Sequence, residues 1–410
     1  MPSVAVKRRL LLAGLSIWLL TVSPAKGQEP LSAADAERVG RIFDLERSPI
    51  PLGCSIQTQR PKLDFAFRFD LGCIISCSLS TFAGRATDVF IYARVTPQGG
   101  RPVLFVDDYR VPEATDVTKS SQLKQGFQMS GGFAVGEGKY RVEVLVMDQQ
   151  TGRTSRKNWL VQVGHAGSKE DVQVAVSPET VIPMGVRPAP ITMDKSGRGL
   201  RLTVLLDAAP TNPRAPALRA WDRAFLLGSL SSLLKQIPCA SVRLRAFNLD
   251  QQSELFHEDE FDDAGFVQLA ASLRTLELGA VSYHVLQQRQ GGLGLLLNYA
   301  NQELTARDPA DAVVILGPRT RYSSDIPRAG LKERETPNPR FFYFQYFPGS
   351  LQLQFPDVLS SLTKRLDGTV CAIYSPGDLA HCAQKLLSRV QPHREPSPPG
   401  RWPARPAPNN

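Results

Sequence analysis

The sequence predicts a two-domain chain, an all-β sandwich followed by an α/β domain with a parallel sheet. Three observations carry this. Apolar residues alternate with period two at intervals between residues 61 and 164, with turn residues about every 8–12 positions. From 199 to 390 short apolar strands alternate with helical patterns instead. The chain has 410 residues, too many for one ordinary core, and its 42% hydrophobic and 21% charged content is globular.

The N-terminus reads as an export signal over residues 1–27. Lys7, Arg8 and Arg9 form a basic start, residues 10–22 an apolar stretch, and Ala25-Lys26-Gly27 a small-x-small cleavage site. The apolar stretch is short for a membrane span, and no later stretch is long and apolar enough to be one. Cleavage removes four basic residues, so the net charge falls from +9 to +5. The remaining basic residues are scattered with no aromatic-interleaved stripe, which disfavours nucleic acid. The expected location is secreted or periplasmic.

Residues 28–60 form a lead-in. Ser32 with Asp35 resembles an N-cap, and Ala34, Val39, Ile42, Phe43 and Leu45 give an apolar helical face that Ser48–Gly53 stops. The sandwich spans 61–164. Leu63–Phe69 and Val89–Val95 alternate, and Thr96–Gly100 turns the latter into Val103–Val106. Phe133–Val135 precedes Tyr140–Val146, the cleanest alternation, which Asp148–Gly152 turns into Ser155–Val163. About seven short strands in about 100 residues is the signature of an immunoglobulin-like sandwich. A Pro-rich connector, 165–198, follows, with an extended segment expected at Val172–Val176.

The α/β domain spans 199–390. Leu202–Leu206 is a buried strand ending in Asp207, and the next helix, about 216–235, places Leu218, Trp221, Phe225, Leu226, Leu230, Leu233 and Leu234 on one face. Strand Ser241–Phe247, an antiparallel partner Ser253–Phe256, and a helix Ala264–Leu276 follow. A Gly-rich loop, Gln290–Gly294, opens a helix over about 295–306. Ala312–Leu316, Arg340–Phe347 and Thr369–Ile373 are the remaining strands, and Gly377–Val390 closes the domain. The pattern predicts a doubly wound, Rossmann-like sheet covered on both faces. Residues 391–410 hold seven prolines and read as a disordered tail.

This order of elements resembles the von Willebrand factor type A fold over about 190 residues. In that family Mg²⁺ is held by D-x-S-x-S after the first strand, a Thr on a second loop and an Asp after a later strand. Here Asp207 and Thr211 stand at the first and third ligand positions, but Ala209 replaces the middle Ser. The second loop offers Gly291–Gly294 without a Thr, and Gly317-Pro318-Arg319 stands where the last Asp belongs. The resemblance therefore implies a degenerate adhesion site, with Asp207 and Thr211 as remnants and no cofactor. Asp207 is expected to cap a helix or brace its loop. The two-domain layout is similar to exported bacterial, acidobacterial-type proteins of the von Willebrand type A group, with no activity attached.

Other candidate chemistry is weak. His165, His257, His284, His381 and His393 fall in no zinc or hydrolase motif. The acidic run His257–Asp263 lacks calcium-loop spacing and reads as a loop feeding a helix N-terminus. The spacing of Cys73 and Cys77 could suit two metal ligands, but no His lies nearby to complete a site; one disulfide involving Cys54, with no partner chosen by the sequence, is the expectation, and fully reduced cysteines are the alternative. The aromatic run Phe341–Phe347 fits a strand buried on both faces, or one with an open aromatic face. Ser375–Asp378 either lines the crevice beside Asp207 or caps the closing helix. The expected function is a non-enzymatic protein-binding or scaffold protein with a protein partner in the cell envelope or outside the cell. The alternatives are a metal-dependent adhesion module using Asp207 and Thr211, and an enzyme on the doubly wound fold.

Overall fold

A computed structural model describes residues 31, 33–44, 51–82, 85–111, 126–164, 172–184, 191, 193–194, 199–211, 215, 217–278, 291–320, 326–333, 339–347 and 357–390. The expected signal segment, the Ser32 cap, the tail, His165, His284, His393 and much of the connector lie outside these. Among the described residues three sheets form. No described helix is long and apolar enough to cross a membrane.

The first half is a sandwich of two antiparallel sheets. One contains β1 (Ser55–Thr58), β2 (Lys62–Leu63), β3 (Phe69–Ser78), β6 (Gly126–Val135) and β9 (Val181–Pro183). The other runs β5 (Val103–Val111), β4 (Thr87–Pro97), β7 (Gly138–Asp148), β8 (Thr154–Val163). Alternate residues of both sheets share one core: Leu71, Ile75 and Phe133 meet Val89, Ile91, Phe105 and Val142. Phe105 and Phe133 stack across the sheets at 5.9 Å. A disulfide joins Cys54 to Cys77. Asp148 fixes the β7–β8 turn, accepting from Thr87 Oγ1 at 2.6 Å, Thr151 Oγ1 at 2.5 Å and Gln150 N. The lead-in helix α1 (Ala33–Asp44) lays Val39 and Phe43 on Tyr92 and Leu145, outside the sandwich.

Two expectations here need correction. Leu63–Phe69 is not a strand. Asp64 Oδ1 accepts from both Ala66 N and Arg68 N at 2.9 Å, which closes a turn, and Phe67 adopts φ 56° within it. The alternation there serves docking, because Phe65 and Phe67 leave the sandwich and join the core of the second half. The segment Val172–Val176 is also not a strand. Its backbone is spent on that turn, with Ala175 N donating to Phe67 O at 2.7 Å, and the connector's strand is β9 instead.

The second half holds a six-stranded sheet in the order β12 (Ser253–Glu258), β11 (Cys239–Asn248), β10 (Leu200–Asp207), β13 (Ala312–Pro318), β14 (Arg340–Tyr346), β15 (Thr369–Ile373). The β11–β12 pairing is antiparallel and the other four are parallel. Side-chain alternation splits the strands between two cores. Leu202, Val204 and Leu206 pack with helices α2 (Ala220–Gln236), α3 (Asp263–Thr275) and α6 (Pro376–Val390). Leu205, Val313, Ile315 and Tyr343 pack with α4 (Gly291–Leu304) and α5 (Val358–Arg365). Helices thus cover both faces, as buried parallel strands require.

Three details depart from expectation. Gly291–Gly294 form the first turn of α4 rather than a loop. Helix α5 occupies a stretch with no expected element, started by Asp357, whose side chain accepts from Ser360 N. Trp221 does not join the buried face of α2. It is 59% exposed in the first turn, its ring 6.1 Å from Phe225.

Candidate functional site

In an open α/β sheet, ligands bind beyond the carboxyl ends of the strands, where the strand order reverses. Here the reversal lies between β10 and β13, which end at Asp207 and Pro318. Asp207 is fully buried, and neither carboxylate oxygen has a hydrogen-bond partner. Gly317 packs against it so closely that a Cβ there would meet Asp207 Cβ at 2.7 Å. Burial raises the Asp207 carboxyl well above the usual aspartate range, and the nearby charges of Asp250 and Asp357 add to this. The neutral acid is the favoured form.

Asp207 therefore neither caps a helix nor braces its loop. Asp222 does that work. Its Oδ1 accepts from Thr211 N at 3.0 Å and Thr211 Oγ1 at 2.6 Å, and its Oδ2 accepts from Arg219 N at 3.0 Å. The loop after β10 is so tied to the start of α2.

A second carboxylate at this end has the opposite environment. Asp357 is buried, yet Thr320 N, Tyr343 Oη, Gln345 Nε2 and Ser360 N all lie at 2.8–3.2 Å from its oxygens. These donors come from the loop just past β13, from β14 and from α5, so Asp357 locks three segments together. Burial, then the Asp357 charge, pushes the Tyr343 hydroxyl well above the usual tyrosine range, keeping it a donor. Sequence reasoning missed Asp357. Its one signal was an Asp ahead of the apolar pair Val358-Leu359, an N-cap pattern.

The residues present do not fit a divalent cation. The Thr211 hydroxyl is engaged by Asp222, the glycines meant for the second loop are helical, and the Pro318 carbonyl lies 3.0 Å from Tyr343 Oη, whose single proton it shares with Asp357. Among the described residues no three His, Cys, Asp or Glu side chains group as metal ligands. Asp378 resolves the Ser375–Asp378 alternatives in favour of capping: its Oδ2 accepts from Tyr374 N and Ser375 N at 2.9 Å, and Ser375 Oγ lies 3.1 Å away. The acidic run divides. His257 and Glu258 belong to β12, while Asp262 caps α3 by accepting from Ala264 N and Gly265 N. His257 lies 3.1 Å from Asp259 at the surface, and His381 is on the exposed side of α6.

Among the described residues, this end offers two aromatic rings to solvent. Tyr374, just past β15, is 65% exposed and stacks on Phe347, just past β14, at 4.9 Å. Trp221 stands exposed at the start of α2, which follows the carboxyl end of β10. Behind it Phe225 meets Tyr346 at 4.4 Å and Phe65 of the sandwich turn at 4.5 Å. The aromatic run of β14 is otherwise buried on both faces.

No protein-family profile matches the chain, and no curated protein matches it. Some solved structures do. Beta-glucuronidase 2 of Bacteroides uniformis is 9% identical, covering 79% of this chain and 39% of its own at TM-score 0.19. A family 2 glycosyl hydrolase of Bacteroides cellulosilyticus is 11% identical with the same coverages and TM-score 0.19. A family 123 glycoside hydrolase of Clostridium perfringens is 6% identical, covering 78% of each chain at TM-score 0.24. This chain spans 39% of the length of the first two. Likenesses this low carry no argument about activity.

Proposed function

We propose that this chain is an exported, non-enzymatic protein-binding or scaffold protein of the von Willebrand type A-related kind. In this reading an immunoglobulin-like sandwich carries a type A-like domain that works without metal. Its support in the fold is the strand order third, second, first, fourth, fifth, sixth, a doubly wound order, with an antiparallel third strand at the edge. The Cys54–Cys77 disulfide supports an oxidising, extracytoplasmic location.

One observation carries the binding role: the rings of Trp221 and Tyr374 stand in solvent at the carboxyl end of the sheet. Burying large rings in water-free contact is the main source of energy at protein interfaces, and Trp and Tyr dominate it. Both rings are held in place beforehand. Tyr374 is stacked on Phe347 with its backbone N–H bound by Asp378, and Trp221 rests against Phe225. Such preorganisation lowers the entropy cost of docking.

The test is affinity capture from the native envelope fraction with the tagged chain and with its Trp221→Ala/Tyr374→Ala variant. A protein enriched by the first and lost with the second supports the reading. Capture unchanged by the double substitution overturns this surface. Calorimetry with Mg²⁺, Mn²⁺ and Ca²⁺ addresses the metal-dependent alternative. Tight binding that Asp207→Ala abolishes would favour that alternative.

A further inference from the structure

Four cysteines are free in the structure, and all are buried: Cys73, Cys239, Cys371 and Cys382. They fall into two kinds. Burial, with a smaller push from the Asp107 charge, raises the Cys73 thiol to about 11, and burial alone raises the Cys239 thiol to about 12, so both are inert. Cys371 on β15 and Cys382 on α6 are buried in the same core cluster.

The register of β15 against α6 is well defined. Thr369, Cys371 and Ile373 are the buried residues of β15, on one face. Cys382, Lys385 and Arg389 follow one another on α6 at spacings that share a helix face. Arg389 Nη1 donates to Thr369 Oγ1, which ties that face of α6 to that face of β15. The Cys382 thiol lies within hydrogen-bonding reach of the Cys371 sulfur. That contact, with the positive charges of Lys385 and Arg389, brings the Cys371 thiol down to about 7, despite burial. The Cys382 thiol is pushed up by the same contact.

We propose that Cys371 and Cys382 are a redox-active dithiol that closes to a second disulfide, with Cys371 the attacking thiolate and Cys382 the resolving thiol. The oxidant is a disulfide-bearing thiol compound. The Cys371 thiolate attacks one sulfur of that disulfide, breaking its S–S bond and releasing one thiolate, which takes up a proton. Cys382 then gives its proton to solvent and attacks the Cys371 sulfur, expelling the second thiolate. Two protein thiols are oxidised, and one small disulfide is reduced to two thiols. The pair sits on the last strand in the sheet order and the closing helix, a place where local opening admits the oxidant. The bond would pin α6 to β15 three residues before Tyr374.

The experiment uses the full chain with Cys54–Cys77 intact, equilibrated in oxidised and reduced glutathione, then alkylated and mapped by mass spectrometry. Four alkylated cysteines in the reduced state and two after oxidation are expected, the loss confined to Cys371 and Cys382, which appear as one linked peptide. Oxidation is expected to raise the melting temperature by about 5 °C. Cys382→Ser should trap a glutathione adduct on Cys371, whereas Cys371→Ser should accumulate none. Two alkylatable thiols persisting at 371 and 382 under oxidising glutathione overturn the proposal, and an adduct on Cys382 overturns the assignment of roles. The wild-type count needs no substitution, so a variant that fails to fold leaves the test intact. Because the assay is run on purified protein, it is independent of the binding role proposed above.

Discussion

The two ends of the six-stranded sheet are built on opposite principles. At the amino end charges are matched. Arg201 is the second residue of β10, its N–H donating to Asp311 Oδ2 at 2.8 Å and its guanidinium pairing with Asp308 and Asp311. The hydrogen bond that its guanidinium donates to Asp311 raises Arg201 further still, keeping it charged. At the carboxyl end, Asp207 is buried without a partner, Asp357 is surrounded by neutral donors, and aromatic rings stand in water. The difference teaches where stability and where interaction energy reside. Matched, half-exposed charges add little and commit nothing, while unmatched groups are held at the other end by the rest of the fold.

That contrast can be broken most severely at Asp357. Asp357→Ala strands buried donors from three segments and removes the cap of α5, so a loss of about 3–4 kcal/mol in urea unfolding is expected. The aromatic rings test the other side of the comparison. Trp221→Ala/Tyr374→Ala should weaken partner capture about 30-fold while changing unfolding stability by less than about 0.5 kcal/mol.

Asp207→Asn should do the reverse of an ordinary core polar substitution and stabilise the protein, by about 1–2 kcal/mol at neutral pH. The sign follows from linkage. The folded carboxyl is raised above its ordinary value of 3.8, so the folded state binds more protons than the unfolded one above that pH. Stability is fully present below the ordinary value and is lost as pH rises. Urea melts of the two proteins should converge in acid and diverge toward neutral pH, and parallel curves would refute the assignment. The smallest effect belongs to the amino end, where Arg201→Ala should cost about 0.5–1 kcal/mol, diminished by salt.

Legibility followed the range of the physics. Ala312–Leu316 and Tyr140–Val146 were readable because burial on two faces or one leaves its period in the chain itself. The strand Phe69–Ser78 was hidden because glycine and cysteine dilute its alternation, although Leu71, Cys73, Ile75 and Cys77 all face the core. Leu63–Phe69 misled for a different reason. Its period was genuine, but a turn braced by Asp64 presents Phe65 to Phe225 and Tyr346, far along the chain, and buries Phe67 in the same core. Helix α5 is short, and its eight residues were too few for a period to stand out.

The candidate site was legible only as a place. The apolar strand ending in Asp207 marked the carboxyl end of the sheet, and the missing ligands at Ala209, Leu293 and Pro318 were plain in the residues alone. Hydrophobic period, turn residues and an acid at a strand end are local properties, and one sequence suffices for them. Which aspartate is satisfied, which threonine is engaged, whether Trp221 is covered and which cysteines meet were decided only by tertiary structure. Each depends on groups brought together from distant segments, and a hydrogen bond or a contact between sulfurs leaves no period in the chain.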